Sequence, residues 1–350
     1  MKYCFRKFWV VRNNKILVFL FVSLIIVAII FYWIFFLDNI SVETKKNEIY
    51  ISTNSSFEKL LADIRPYLKS ELSFILASKF KKFDVNIKPG RYAIGKSMSN
   101  NQIINNLRSN NIPIKLTFNN IERLEDLASV ISNQIEEDSL NLNDQFLSEE
   151  FLKENGFNSL NAISMYIPNT YEFFWNTNSA NFQKRMYLEY LKFWNKKRLD
   201  RAKEISLSPL QVSVLASIVK KESIVNEERP VIAGVYLNRL KKRMKLQADP
   251  TVIYSIKQKE KNFTKVVKRV LFKDLKLDSK YNTYKYFGLP PGPICMPDIS
   301  SIDAVLNFKK HNYLYFVANP NKPGYHSFSK SLKKHNYYRR IYLNWLRKKK

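Results

Sequence analysis

The sequence predicts an α+β protein with one N-terminal transmembrane helix, a small α+β module and a larger mixed α/β domain. Residues 16–37 form an apolar run without a charge, and residues 45–112 alternate between strand and helix patterns. Residues 113–340 contain amphipathic helices followed by two late strand patterns. We expect a cytoplasmic tail at 1–15 and a basic tail at 341–350.

Composition excludes disorder across the chain and several kinds of site. Hydrophobic residues make up 45% of the 350 residues, which is ordinary for a globular protein. The sequence predicts no metal site, because it has only two cysteines, three histidines and no HExxH pair. It also predicts no nucleotide cofactor, because it lacks a Walker loop and a GxGxxG motif. The net charge of +28 is compatible with a polyanion partner, but enrichment in Lys and Asn with only 7 Gly favours a uniform compositional bias.

Ile16–Leu37 is predicted to cross a membrane, since its helix would be about 33 Å long against a hydrocarbon core of about 30 Å. Basic residues precede it and Asp38 follows it, so the positive-inside rule places the N-terminus in the cytoplasm and residues 38–350 outside. The alternative is a cleaved signal peptide. The run is longer than a usual signal core and no small-x-small site follows it, which favours an anchor.

Residues 38–48 are expected to be a polar stalk before the small module. A strand is predicted from Glu48, and Ser55 or Ser56 is predicted to cap a helix over 57–64. The module continues with a helix from Pro66 that carries Leu68, Leu72, Ile75 and Leu76, a turn and strand at 88–92, and a helix opened by Ser99-Asn100.

The larger domain begins with a strand pattern at Pro113–Phe118 and a helix near Leu124. Residues 256–280 are Lys-rich and are expected to be a surface excursion. Tyr313–Val317 has the pattern of a buried strand, and 324–328 that of a turn and strand.

One helix combines a strong start signal with an acid on its apolar face. Ser208, Pro209 and Gln211 fit an N-cap, a proline at the first helical position and a capping box. Leu215, Ile218, Val219 and Glu222 follow at i, i+3, i+4 and i+7. Because burial raises a carboxyl pKa toward the range of a general acid, Glu222 is a candidate catalytic residue.

Each candidate residue also has a purely structural interpretation. Glu222 could simply reach solvent at the last helical turn, and Lys220 should face away from it. Asp249 is most simply a helix N-cap, and Glu228 a loop or first-turn acid. A lone histidine such as His326 is most often a structural hydrogen-bonding group. Glycine and proline concentrate between 281 and 295, which predicts a defined loop.

These segments together resemble the YceG-like family of endolytic murein transglycosylases, in order and spacing. The matching stretches are LASIVKKES (215–223), ER (228–229), NRL (238–240), MKLQADPTVIY (244–254), YNTY (281–284), GLPPGPI (288–294), YLYFVA (313–318), HSF (326–328) and HN (335–336). The N-terminal anchor and the turn KPGRY with its following helix also resemble the family, whose small module is LysM-like.

The resemblance implies that Glu222 is the catalytic glutamate. Lys220 and Ser223 replace an acid and a threonine of the family pattern, and Met296 and Phe308 stand where Asn and Pro are common. Candidate residues for lining a glycan groove are Gln247, Asp249, Asn282, Tyr284, Pro291, Gly292 and His326.

The implied function is that of an enzyme in the bacterial inner membrane that cleaves peptidoglycan strands between N-acetylmuramic acid and N-acetylglucosamine and leaves 1,6-anhydromuramic ends. One carboxyl suffices for this reaction because the sugar's own C6 hydroxyl attacks, whereas a hydrolase needs two. The implied partners are glycan strands and cell-wall synthesis proteins, without cofactor or nucleic acid.

Two other functions stay open. A glycan hydrolase would use Asp249 or Glu228 as its second carboxylate. A non-enzymatic protein that binds polyanions or a membrane surface would use the net charge and would bind nucleic acid with steep salt dependence.

Overall fold

A computed structural model describes residues 2–41 and 48–348, with the backbone alone for residues 2–14. The chain divides into two compact units, of which the first extends through Lys115 and includes Glu172–Asn176. The second comprises Leu116–Tyr171 and Thr177–Lys350. The fold is mixed α/β with one N-terminal apolar helix. The predicted boundary at 45 and the last two residues of the predicted 341–350 tail lie outside the described residues.

The first unit contains the apolar helix and the small module. In chain order its elements are α1 Lys2–Phe36, β1 Glu48–Ile51, α2 Phe57–Ile64, α3 Glu71–Phe80, β2 Gly90–Ala93 and α4 Asn100–Ser109. Antiparallel pairing joins β1 to β2, with Glu48 opposite Ala93 and Ile51 opposite Gly90. Within α1, Lys15–Phe36 is long and apolar enough to cross a membrane, with a mean hydropathy of 3.0.

Local sequence signals explain most of these elements. Ser56 caps α2, and Ser99 and Gln102 form a capping box at α4, as predicted. The helix predicted from Pro66 is wrong in its start. Pro66 lies in a single 3₁₀ turn, Arg65–Tyr67, and α3 begins only after Ser70.

The predicted stalk is also wrong where the structure describes it. Ile40 is buried in the core of the small module, and Asn39 donates a hydrogen bond to the carbonyl of Ser70 at 2.9 Å. The apolar helix therefore continues directly into the packed module. The remainder of the predicted stalk, at 42–47, lies outside the described residues.

The second unit is mainly helical. Its elements are β3 Ile114–Phe118, α5 Leu124–Ser132, α6 Ser139–Phe146, α7 Glu149–Glu154, β4 Asn169–Phe173, α8 Ser179–Phe193, α9 Lys196–Glu204, α10 Pro209–Glu222, α11 Arg229–Lys241, α12 Asp249–Lys259, α13 Ile299–Leu306, β5 Tyr315–Ala318, β6 His326–Ser329 and α14 Leu332–Lys348. The boundary between the units falls within β3 and β4, which form a two-stranded sheet.

The core of the second unit surrounds α10, which packs against α9, α11, α12 and α13. Every residue of α10 from Val212 to Val219 is buried. Strands β5 and β6 pair antiparallel, with Phe316 opposite Phe328, and α14 packs against both. The prediction of a buried strand at Tyr313–Val317 is wrong in its start and its burial, because β5 begins at Tyr315 and its residues are only half-buried.

Candidate active site

Glu222 ends α10 at the wall of a cleft. The predicted capping box starts the helix, since the Ser208 hydroxyl accepts from the Gln211 amide at 3.2 Å and the Gln211 side chain accepts from the Ser208 amide at 2.8 Å. Ser223 is extended and ends the helix. Its carbonyl accepts a hydrogen bond from buried Arg229 at 3.0 Å. A rigid helix and a tethered turn thus fix the position of the carboxyl.

The Glu222 carboxyl has an uncharged donor as its hydrogen-bonding partner. The hydroxyl of buried Tyr236, on α11, donates to Oε1 at 2.5 Å. Burial raises the pKa of Glu222 to about 7, and the charge of Asp249 adds to this. The Tyr236 hydrogen bond and the positive charges of His326 and Arg239 act in the opposite direction and lower the pKa. The net result is a carboxyl that holds a proton near neutral pH.

His326 lies on the same cleft and is held by Glu228. The ring Nδ1 lies 2.6 Å from Glu228 Oε2, and the backbone amide of His326 donates to Oε1 at 2.7 Å. Both oxygens of this buried carboxylate are thereby used. His326 thus makes structural hydrogen bonds to Glu228 and also lines the cleft, and its role toward a substrate stays a prediction. Glu228 is more than a loop acid, because it orients this ring.

Asp249, Tyr284 and Gln247 line the same cleft as Glu222. The Tyr284 hydroxyl donates to Asp249 Oδ1 at 2.5 Å. The interpretation of Asp249 as an N-cap is wrong: Ala248 occupies that position, and Asp249 is the first residue of α12. Its carboxylate therefore does not cap the helix and accepts the hydrogen bond from Tyr284. Gln247 has a left-handed backbone with φ of 52°, a conformation that is uncommon outside glycine.

Three predicted residues lie outside this cleft. Asn282 is fully buried and donates to the carbonyls of Leu275 and Leu277 at 3.0 and 2.8 Å, so it holds the loop. A Cβ on Gly292 would come within 1.9 Å of the Leu160 carbonyl oxygen, so this glycine permits close packing. Pro291 lies beside Leu160 in a separate depression.

Several residues on the cleft are missing from the sequence-based candidates. The buried guanidinium of Arg239 donates to the carbonyls of Leu314 at 2.6 Å and Leu246 at 2.7 Å. Its carbon also lies 5.2 Å from the centre of the Tyr315 ring. The ring of His335 stacks on the same Tyr315 ring, with centroids 5.3 Å apart. The signal was available, since these residues lie in the NRL, YLYFVA and HN stretches.

Lys220 points away from the cleft, as its place on the helix predicts. Its ammonium donates to the carbonyl of Met296 at 3.0 Å and lies 4.0 Å from Asp298 Oδ2. In the described part of the chain, no three His, Cys, Asp or Glu side chains gather as a metal site would require.

Comparison with known proteins places the chain in a family. The model of the YceG-like family matches residues 49–340. A crystal structure of a YceG-like protein from Listeria monocytogenes superposes with a TM-score of 0.55 and 28% identity, over 83% of this chain and 98% of that one.

Two curated relatives carry the name endolytic murein transglycosylase. The protein of Bacillus subtilis is 43% identical over 143 residues, which are 41% of this chain and 37% of that protein. The protein of Streptococcus pneumoniae is 36% identical over 116 residues, which are 33% of this chain and 21% of that protein. The matched stretch thus spans well under half of either relative. Because the family model covers most of its length, the chain belongs to the YceG-like family.

Proposed function

We propose that this protein is a membrane-anchored endolytic lytic transglycosylase that cleaves peptidoglycan between N-acetylmuramic acid and N-acetylglucosamine. The observation that carries the proposal is the Glu222 carboxyl at a cleft wall, with a pKa raised by burial to about 7. The names of the curated relatives support it. In this proposal the enzyme terminates or trims nascent glycan strands.

The reaction needs one proton carrier used twice. Protonated Glu222 donates its proton to the glycosidic oxygen as the bond from that oxygen to C1 of the muramic acid breaks. The anionic carboxylate then takes the proton of the C6 hydroxyl while O6 bonds to C1. The product is a 1,6-anhydro sugar, no water is consumed, and Glu222 regains its proton. The acetamido group of the substrate stabilises the oxocarbenium-like state.

The other groups on the cleft suit a carbohydrate. Gln247 and Tyr284 offer an amide and a hydroxyl to sugar hydroxyls, and Tyr315 offers an aromatic face. His326 keeps a ring nitrogen for the substrate because Glu228 binds the other one. Asn282, Pro291 and Gly292 lie outside the cleft, so they do not touch the glycan in this proposal.

Hydrolysis is the second candidate, because Asp249 lies on the same cleft as Glu222. Glu228 is a poor second carboxylate, since His326 occupies both of its oxygens. Mass spectrometry of the products separates the reactions: anhydromuramic ends support transglycosylation, and reducing ends support hydrolysis. With Asp249→Asn, a transglycosylase still produces anhydro ends, whereas a hydrolase that depends on Asp249 stops.

We also propose that α1 anchors the enzyme in the cytoplasmic membrane, with the N-terminus inside and the small, LysM-like module and the catalytic domain outside. The apolar segment Lys15–Phe36 and the basic residues before it support this. Labelling Cys4 in intact cells with a membrane-impermeant thiol reagent tests the orientation. Labelling only after lysis agrees with it, and labelling of intact cells contradicts it.

A further inference from the structure

Helix α3 of the small module carries apolar side chains on the face that the protein leaves exposed. Leu72, Leu76 and Phe80 are 64%, 43% and 71% exposed. At 100° per residue they lie within about 80° of one another around the helix. The opposite face, with Phe74 and Ala77, is buried in the core of the module. A helix with one face in water usually carries polar residues on that face, so apolar residues on both faces of α3 are unusual.

The neighbouring helices of the module follow the usual pattern. In α4, Ile103, Ile104 and Leu107 face the core, while the outer positions include Asn101 and Asn105. In α2 the buried residues are Leu60 and Ile64, and the outer positions carry Glu58, Lys59 and Asp63. The exposed apolar face is therefore specific to α3.

Helix α3 runs back along the outer end of α1. At its start, the Ser70 amide donates to the Asn39 side chain at 2.7 Å, just beyond α1. At its end, the ring of Phe80 lies 5.3 Å from Phe35 and 5.8 Å from Phe31. Since Phe31 lies about 10 Å along the helix axis from Asp38, α3 descends by a similar depth.

Basic residues stand at the descending end. Lys79 is on α3 and Lys82 on the following turn, and both are exposed. Long lysine side chains can leave their stems in an apolar layer while their ammonium groups reach lipid phosphates. The apolar face of α3 thus adjoins the surface of α1, and the lysines at the end of α3 are long enough to extend from an apolar layer toward lipid phosphates.

We propose that α3 lies in the outer interface of the bilayer and that its exposed face contacts lipid. The proposal rests on the anchoring by α1 proposed above and adds a second membrane contact beside it. This contact fixes the orientation of the small module at the membrane surface. The occupant is an anionic lipid surface, because the face adjoins the lipid-facing anchor and ends in lysines.

The test uses the full chain with Cys4→Ser and Cys295→Ser, reconstituted at one chain per nanodisc with anionic lipid. Serine at 295 keeps a donor for the Ser217 carbonyl. An environment-sensitive fluorophore is attached at Leu76→Cys. The matched control is the exposed Ala62→Cys on α2, and Ile30→Cys within α1 reports insertion. Lipids with a nitroxide near the headgroup serve as quenchers.

We expect the Leu76→Cys label to lose fluorescence by about twofold or more, and the Ala62→Cys label to change little. Quenching at Ile30→Cys with none at Leu76→Cys contradicts the α3 contact and leaves the anchor intact. No quenching at Ile30→Cys contradicts the anchor and with it this proposal. No quenching at Leu76→Cys in single-chain discs, together with a blue-shifted emission of this label in discs that hold two chains, assigns the face to a second copy and overturns the lipid contact.

Discussion

Two partly buried carboxyls in the larger unit, Glu122 and Glu222, lie in contrasting environments. Lys221 and Lys257 bind the Glu122 oxygens at 2.5 and 2.9 Å. Burial works to raise the pKa of Glu122, but the two ammonium groups lower it overall. Glu222 receives its hydrogen bond from a neutral tyrosine, and burial raises its pKa to about 7. At Glu122 the two positive partners together outweigh burial, whereas at Glu222 burial outweighs the hydrogen bond from the neutral tyrosine.

Two neighbouring residues at the end of α10 therefore have different roles. Lys221 and Glu222 are consecutive in α10, yet the first joins an ion-pair cluster and the second faces the cleft. An ion-paired carboxylate cannot donate a proton near neutral pH, whereas Glu222 can. The following predictions test this division.

The largest expected effect is on catalysis. Glu222→Gln keeps the size of the side chain and an acceptor for Tyr236 but cannot transfer a proton. We expect the rate of glycan cleavage to fall by about 10²–10⁴-fold. Release of anhydromuramic products, quantified by mass spectrometry, measures it. Glu122→Gln is the matched control and should keep the same order of activity. Full activity in the Glu222 variant would refute its assignment as the acid.

The next effect is on the pH profile. The donating form of Glu222 is the protonated one, so cleavage should decline as pH rises through about 7. On the alkaline side the rate should fall about tenfold per pH unit. Initial rates between pH 5 and 9 measure this limb. A decline centred near pH 4.5, the ordinary value for glutamate, would show that the carboxyl is hydrated as in an exposed residue.

The two carboxyls should also affect stability with opposite signs. The raised pKa of Glu222 means that the folded state loses stability as pH rises from 4.5 to about 7. Glu222→Gln should therefore be more stable than the parent at pH 8, by about 1–3 kcal/mol, and equal to it below pH 4.5.

Glu122 contributes stability above its unfolded pKa that is lost as pH falls, because its folded pKa is lowered. Glu122→Gln should be less stable than the parent at pH 8 by about 1–3 kcal/mol. Urea unfolding of both variants at pH 8 and pH 4 measures the comparison. Two shifts of the same sign at pH 8 would contradict it.

The smallest effect concerns the neutral partner. Tyr236→Phe removes a hydrogen bond that lowers the pKa of Glu222, so this pKa should rise further. We expect the alkaline limb of the rate profile to move upward by about 0.5–1 pH unit. Tyr284→Phe, which loses a bond to Asp249 instead, is the control. An unmoved limb in the Tyr236 variant would show that burial alone sets the value.

Local patterns predicted much of the fold correctly. The capping residues Ser56, Ser99 and Ser208 start the helices that the sequence predicts, because a cap needs only neighbours along the chain. The prediction fails where distant packing competes. A helix that carries Leu72 and Leu76 was predicted from Pro66, yet α3 begins only after Ser70 and the core of the module takes Phe74 and Ala77 from its other face.

The site shows the same division. The stripe of Leu215, Ile218 and Val219 predicted the position of Glu222 on α10, and the placement of Lys220 followed from the same helical geometry. The family resemblance supplied the chemistry but not the contacts. Asn282 and Gly292 lie in matching stretches near Tyr284, yet Asn282 holds the loop and Gly292 packs against Leu160, because residues close in sequence can face opposite sides of a loop.

By itself, the sequence determined the apolar N-terminal segment, the helix that carries Glu222 and the composition that excludes a multi-cysteine site. These depend on periodicity and composition, which are local properties of the chain. Only the tertiary structure decided that Tyr236 faces Glu222, that Glu228 holds His326 and that α3 exposes its apolar face. Such contacts join residues from separate elements, and their geometry is set by how the helices and strands pack.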